Sequence, residues 1–103
     1  MPPIPSSVLT QLERIEAEMR RIGMWQQVPL EAEQYDFRAA FAMDTMSFSQ
    51  WLQFIFIPNV RAAAGSNKFP AGSHVAAQAL REFDTVPEAS QLVKLLADFD
   101  ALF

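Results

Sequence analysis

Cysteine is absent from this 103-residue sequence, histidine occurs once, and glycine occurs only three times. Without cysteine the chain has no disulfide, no thiolate metal ligand and no thiol nucleophile. The glycines, at positions 23, 65 and 72, are too far apart to form a phosphate-binding loop. These shortages exclude several common catalytic and cofactor sites, and we expect the protein to use no cofactor.

The single histidine, His74, gives little scope for catalysis. A serine nucleophile needs a histidine base, but the neighbouring Ser73 lies in a loop-like stretch without a glycine-framed turn. Di-metal sites in helical bundles need a Glu-x-x-His on each of two helices, and one histidine cannot supply both. The sequence therefore predicts no catalytic residues and no metal site, and we expect the protein not to be an enzyme.

Long apolar runs are missing as well. No segment reaches the roughly 20 apolar residues that a membrane helix needs, and the N-terminal MPPIPSSVL lacks the features of a signal peptide. We therefore expect a cytoplasmic protein without membrane contact. The length predicts one domain over residues 1–103, and the proline-rich residues 1–5 are expected to be frayed.

Positive charge is scarce in the last quarter of the chain. The net charge is −4, yet residues 1–81 carry seven acidic and seven basic side chains. The excess comes from five acidic residues that are accompanied only by Lys94: Glu82, Asp84, Glu88, Asp98 and Asp100. Such a surface repels phosphate backbones and attracts basic proteins. This argues against direct nucleic-acid binding and favours a protein partner.

Apolar residues at spacings of three and four predict the first helix. They are Leu9, Leu12, Ile15, Met19 and Ile22. Ser6 and Ser7 are candidate N-caps, and Gly23 is a natural end. Residues 24–43 follow no helical period but are rich in aromatic residues, so we expect a crossover that lays its rings on the helices.

The stretch FAMDTMSFSQWLQFIFIPNVR, residues 41–61, is the most apolar part of the chain. A helix beginning near Ser47 would be apolar nearly all round and therefore central, although WLQFIFI at 51–57 also fits a buried strand. Pro58 should kink or end the helix, because it lacks an amide proton and its ring clashes with the preceding turn. We expect a further turn or two, closed by Gly65.

Two more helices follow a loop. Ser73 is a candidate cap for a short alanine-rich helix, and Thr85 with Glu88 fits a capping box before the last helix. The last helix has a strong apolar stripe: Ala89, Leu92, Val93, Leu96, Phe99 and Phe103. The predicted fold is thus all-α, a four-helix bundle with a long aromatic-rich crossover between helices 1 and 2.

The Asp44-Thr45 pair is the first candidate site. Both residue types are good N-caps for the central helix, and this interpretation is favoured over a ligand contact. The alternative is a groove for a partner or ligand, since methionine is common at adaptable binding surfaces. Its residues would be Met43, Asp44, Thr45 and Met46, with Trp51 and Trp25 nearby.

Asp98 and Asp100 are the second candidate site. They lie near the end of the last helix, where the macrodipole opposes negative charge. An unfavourable position favours a functional reason, such as an acidic patch that docks a basic partner. A solvent-exposed terminal turn, which tolerates almost any residue, remains the alternative.

Several motifs of the chain resemble the YqcC-like family of small bacterial proteins. They are FAMDTM at 41–46, WLQ at 51–53, IP at 57–58 and the tail FDALF at 99–103. The resemblance covers nearly the whole chain and implies a four-helix bundle. The chain departs from the family at SHVAAQAL, residues 73–80, where aromatic residues are expected.

The resemblance implies no catalytic residues. Members of the family are often encoded beside a tRNA pseudouridine synthase of the C type, which implies an accessory role in tRNA modification. We therefore expect a non-enzymatic accessory or protein-interaction module with such a synthase as a possible partner. The alternative function is a small-ligand-binding or enzymatic bundle with a pocket near Trp25, Phe41 and Trp51.

Overall fold

Four helices make up the fold. The structure, a computed structural model, describes residues 3–103, and within that range it contains no β-strand. Helix α1 is Pro5–Arg21, α2 covers residues 48–66, α3 is Val75–Glu82 and α4 is Ser90–Asp100; short 3₁₀ turns occupy Ala32–Tyr35, Ala40–Ala42 and Pro87–Ala89. The all-α class with four helices is confirmed, and the strand alternative at 51–57 is wrong.

Helix α1 begins earlier than its serines suggested. Ile4 is the N-cap through its backbone, whose carbonyl accepts a hydrogen bond from the Val8 amide at 3.1 Å. Pro5 occupies the first turn, where its missing amide proton costs no hydrogen bond. The capping roles predicted for Ser6 and Ser7 are therefore wrong. Of the segment predicted to be frayed, residues 1 and 2 lie outside the described part of the chain.

The end of α1 is the predicted one. Gly23 has φ of +78°, a left-handed conformation that glycine adopts without steric cost. The amide of Met24 donates to the carbonyl of Met19 at 2.8 Å, and that of Gly23 donates to Arg20 at 3.3 Å. This pair of hydrogen bonds is a Schellman motif, which satisfies carbonyls that the helix end leaves free.

Helix α2 is continuous through a proline. It starts with Phe48–Trp51, continues as a π-helical segment over Leu52–Phe56 and ends with Ile57–Ser66. Because π-helical hydrogen bonds reach one residue further back, the segment accommodates Pro58, which would otherwise clash with the carbonyl four residues before it. The helix closes at Asn67, with φ of 53°, and not at the predicted Gly65.

The helices enclose one main core. Helix α1 packs against α4 and α2, and α3 packs against α4. The largest side chains that lose all or nearly all solvent contact are Val8, Leu12, Ile15, Met19, Leu52, Ile57, Leu92, Leu96 and Phe99. None of the helices within residues 3–103 is both long and apolar enough to cross a membrane.

The crossover between α1 and α2 is fastened by a buried glutamine. The Gln53 amide nitrogen donates to the backbone carbonyl of Gln26, and its carbonyl oxygen accepts from the Gln26 amide, both at 2.9 Å. A second apolar cluster of Leu30, Ala42 and Met46 anchors the rest of the crossover. The aromatic residues of the crossover are only partly covered, and Tyr35 is exposed.

Candidate functional site

Asp44 binds backbone amides of the crossover and does not cap α2. Its carboxylate accepts hydrogen bonds from the backbone amides of Arg38 at 3.0 Å and Ala39 at 3.3 Å. The Arg38 amide is the main reason why the pKa of Asp44 lies below its ordinary value. The N-cap of α2 is Ser47, which forms a capping box with Gln50. The prediction that Asp44 or Thr45 caps the central helix is therefore wrong.

Thr45 joins the crossover to the beginning of α2. Its hydroxyl donates to the backbone carbonyl of Gln34 at 2.6 Å, and the Gln34 side chain donates back to the Thr45 carbonyl at 3.2 Å. These reciprocal bonds connect the 3₁₀ turn Ala32–Tyr35 to residues just before α2. The side chains of Asp44 and Thr45 thus both hold backbone of the crossover in place.

The residues of the predicted groove lie in different surroundings. Met43 is 53% exposed, and its sulfur lies 3.5 Å from the side-chain nitrogen of Gln78 on α3. Met46 is buried in the second apolar cluster. Trp25 lies beside Arg20, whose guanidinium carbon is 4.6 Å from the centre of the indole ring. The structure brings Trp51 and Met46 together at the second apolar cluster, whereas Met43 contacts α3 and Trp25 contacts α1.

The structure instead contains a pocket of about 370 Å³, here called the aromatic pocket. It lies among α2, the end of α4, the start of α3 and the connection 67–74. Six of its lining side chains are aromatic: Phe41, Trp51, Phe56, Phe69, Phe99 and Phe103. Phe41 and Trp51 of the pocket predicted from sequence are present, but Trp25 is not among the lining residues.

The rings pack edge-on around the aromatic pocket. Phe41 meets Trp51 with a centroid distance of 5.0 Å, and Phe56 meets Phe99 at 5.1 Å. Phe69 from the loop meets Phe103 from the C-terminal tail at 5.6 Å. These edge-to-face contacts are favourable between aromatic rings, so they hold the walls of the pocket.

Polar groups at the aromatic pocket are few. They belong to Asn59, Ser73 and the exposed His74, and no acidic, lysine or arginine side chain lines the pocket. The Ser73 hydroxyl donates directly to the Asp100 carboxylate. A nucleophile–base arrangement would place histidine between serine and carboxylate. Here the serine bonds directly to the carboxylate, so Ser73, His74 and Asp100 do not form the serine–histidine–carboxylate chain of a catalytic triad.

Asp100 bonds to the beginning of α3, whereas Asp98 takes no part in that contact. The Asp100 carboxylate accepts hydrogen bonds from the amides of Val75 at 3.1 Å and Ala76 at 2.8 Å. It thus caps α3 from another helix, and the capping role predicted for Ser73 is wrong because Ser73 bonds to Asp100. Asp98 is exposed. Of the predicted acidic docking patch, only Asp98 carries a carboxylate that is not engaged in this cap.

The capping box predicted before the last helix is also absent within residues 3–103. The 3₁₀ turn Pro87–Ala89 has Val86 as its N-cap, and no side chain caps it. The capping box predicted for Thr85 and Glu88 is therefore wrong. Within residues 3–103, no group of three or more His, Asp or Glu side chains is arranged to hold a metal ion.

Sequence patterns missed most of the aromatic pocket. The apolar stripe of the last helix accounts for Phe99 and Phe103 only as core residues, and no local pattern gives Phe69 a partner. A large aromatic residue in a loop rich in glycine and proline was the available signal, because such a residue needs a packing partner. Which helix would receive it could not be read from spacing, since the contact joins residues 69 and 103.

Comparison with known proteins places the chain in a family. The family model DUF446, described as tRNA pseudouridine synthase C, matches residues 7–102. The chain therefore belongs to that family. It is also similar to Uncharacterized protein YqcC of Escherichia coli, with 30% identity over 93% of this chain and 90% of that protein. The expected resemblance to the YqcC-like family is confirmed.

Two further relatives differ greatly in length. An uncharacterised protein of Haemophilus influenzae is 32% identical, over 88% of this chain and 87% of its own. A tRNA pseudouridine synthase C of Pectobacterium carotovorum subsp. carotovorum is 36% identical over 61 residues, which are 59% of this chain but only 16% of that protein. No solved structure matches the chain significantly.

Proposed function

We propose that this chain is a cytoplasmic, non-enzymatic accessory module that binds a tRNA pseudouridine synthase of the C type. The observation that carries the proposal is the similarity of 61 residues to one part of a protein named as that synthase. When a segment like this chain occurs within one long polypeptide, the separate chain is a natural candidate to associate with the remainder. The description of the family model points to the same enzyme.

The charge distribution supports a basic protein partner. An enzyme that acts on tRNA needs basic surface to meet phosphates. In this chain the carboxylates of Asp84, Glu88 and Asp98 are exposed, and Lys94 is the one basic residue after position 81. Charge complementarity of this kind accelerates association and selects partners more than it increases affinity.

The test is a titration of the chain with the C-type synthase from the same organism, followed by tryptophan fluorescence. We expect saturable binding that weakens as salt is added. Asp98→Asn should weaken binding several-fold, mainly by slowing association. Glu13→Gln is the matched control, since Glu13 is exposed on α1 and the substitution removes the same charge outside the acidic quarter.

Two results would overturn the proposal. One is the absence of binding at tens of micromolar in low salt. The other is binding of tRNA alone with comparable affinity, because that would make the chain a nucleic-acid-binding protein. If Asp98→Asn and Glu13→Gln weakened binding equally, the synthase would still be the partner, but Asp98 would not belong to the interface.

A further inference from the structure

We infer that the aromatic pocket is a binding site for a small, uncharged, largely apolar compound with two rings. The proposal goes beyond the accessory role, because the pocket contains none of the exposed carboxylates invoked there. It also differs from the site predicted from sequence, since Trp25 does not line it. It rests on the size of the pocket, its chemistry and the local backbone that forms it.

The size fits a small molecule. Ligand pockets in proteins commonly measure about 300 to 1,000 Å³, and this one measures about 370 Å³. An apolar cavity of about 150 Å³ is enough for benzene. The aromatic pocket therefore has room for two rings.

The lining selects for a neutral ligand. Six aromatic side chains form the walls, and the polar groups of Asn59 and His74 are at the same site. A charged ligand would lose its hydration at a site whose lining offers no aspartate, glutamate, lysine or arginine side chain to pair with it, which is costly. A ring compound with one hydroxyl or amide group could instead stack on the rings and hydrogen-bond to one of these polar side chains.

The backbone adopts two uncommon conformations beside the pocket. Phe41 and Ala42 have φ of 57° and 54°, a left-handed conformation that costs free energy for residues other than glycine. It places the Phe41 ring against Trp51, 5.0 Å away between centroids. The π-helical segment Leu52–Phe56 supplies Phe56 and directly follows Trp51. Strained backbone and π-helical segments are both enriched at functional sites.

The experiment uses the two indole N–H signals of the protein as reporters in ¹⁵N-correlated NMR spectra. The chain has two tryptophans, of which Trp51 lines the pocket and Trp25 does not. The probe is 2-naphthol, a neutral two-ring compound, and 2-naphthoate is its anionic counterpart. We expect 2-naphthol to shift the Trp51 signal saturably, to leave the Trp25 signal unchanged, and to bind more tightly than 2-naphthoate.

Ala63→Leu is the variant that tests the site, because Ala63 lines the pocket and added methyl groups should fill it. We expect about tenfold or greater weakening of 2-naphthol binding, as apolar pockets discriminate by single methylene groups. Ala62→Leu, on the exposed side of the same helix, is the matched control and should bind as the unmodified protein does. If Ala63→Leu does not fold, Val60→Phe fills the same pocket from the adjacent turn.

Three outcomes would overturn this inference. They are an unmoved Trp51 signal at the solubility limit of 2-naphthol, equal binding by Ala63→Leu and unmodified protein, and equal binding of 2-naphthoate. If the probes fail while Ala63→Leu abolishes binding of the synthase, the pocket holds a partner side chain and not a small molecule. Failure of synthase binding alone leaves the probe result unaffected, so the two proposals fall separately.

Discussion

The carboxylate of Asp100 in α4 caps the beginning of α3, and its hydrogen bond to the amide of Ala76 measures 2.8 Å across 24 residues of sequence. A second amide, that of Val75, and the hydroxyl of Ser73 donate to the same carboxylate. A charge that seemed misplaced at the end of one helix is therefore well placed at the start of another, where the helix dipole favours it. The same contact holds one edge of the aromatic pocket.

Asp100→Ala should consequently destabilise the fold. Loss of a capping carboxylate typically costs about 1 to 2 kcal/mol of unfolding free energy. Asp98→Ala, two residues away and exposed, should change it by less than about 0.5 kcal/mol. Urea denaturation of both variants measures the difference. Equal losses of unfolding free energy in the two variants would show that the cap contributes nothing. Because Asp100 is part of this cap, only Asp98 is suited to testing the docking surface.

The helices could be predicted because each has a local signal. For α1 these signals are the apolar stripe along the helix and the glycine at position 23 that ends it, and both lie within the same short segment of sequence. Pro58 predicts a kink or an end, whereas α2 continues through it by way of a π-helical segment, which keeps Ile57 and Phe56 in the core. Local pattern therefore predicted that the helix is perturbed but not how.

The N-caps could not be predicted, because several residues compete for each helix start. Ser47 prevailed over Asp44 and Thr45, whose side chains bond to residues 34–39 of the crossover. At α3 the cap is supplied not by the nearby Ser73 but by Asp100, a residue distant in sequence. Spacing rules consider only neighbours, so a cap supplied by tertiary structure is outside their reach.

Ser47→Ala should lower the stability of the protein by about 1 kcal/mol, because it removes the oxygen that accepts from the Gln50 amide. Thr85→Ala, at the position where a capping box was expected, should cost less than about 0.5 kcal/mol. Thermal or urea unfolding compares the two. A larger loss for Thr85→Ala would restore the capping box predicted from sequence.

Gln53→Met should loosen the crossover. The variant leaves the amide and carbonyl of Gln26 without their buried partner, which typically costs about 1 to 3 kcal/mol. Hydrogen exchange of the Gln26 amide should become faster, while Gln27→Met, in an exposed position of the same crossover, should leave that rate unchanged. Unchanged exchange in Gln53→Met would mean that the apolar cluster alone holds the crossover.

Asp44 should make stability depend on pH on the acid side. Its pKa is lowered from the ordinary value of 3.8, chiefly by the Arg38 amide, so the native state favours the ionised form. This contribution is fully present above 3.8 and is lost as the pH falls through the lower pKa of the folded state. Stability of the unmodified protein and of Asp44→Asn, measured by urea unfolding at several pH values, should therefore converge on acidification. A constant difference between them would contradict the hydrogen bonding described for Asp44.

Gly23 and Gly65 should respond in opposite directions to alanine. Neither position has an atom within 4 Å of an added Cβ, so steric contact does not distinguish them. Gly65 lies inside α2, where alanine should stabilise by about 0.5 to 1 kcal/mol through its better helix propensity. Gly23 has φ of +78°, where alanine should destabilise by about 1 kcal/mol. Thermal unfolding of the two variants should give shifts of opposite sign; destabilisation by Gly65→Ala would instead indicate that α2 ends at Gly65, as its sequence suggested.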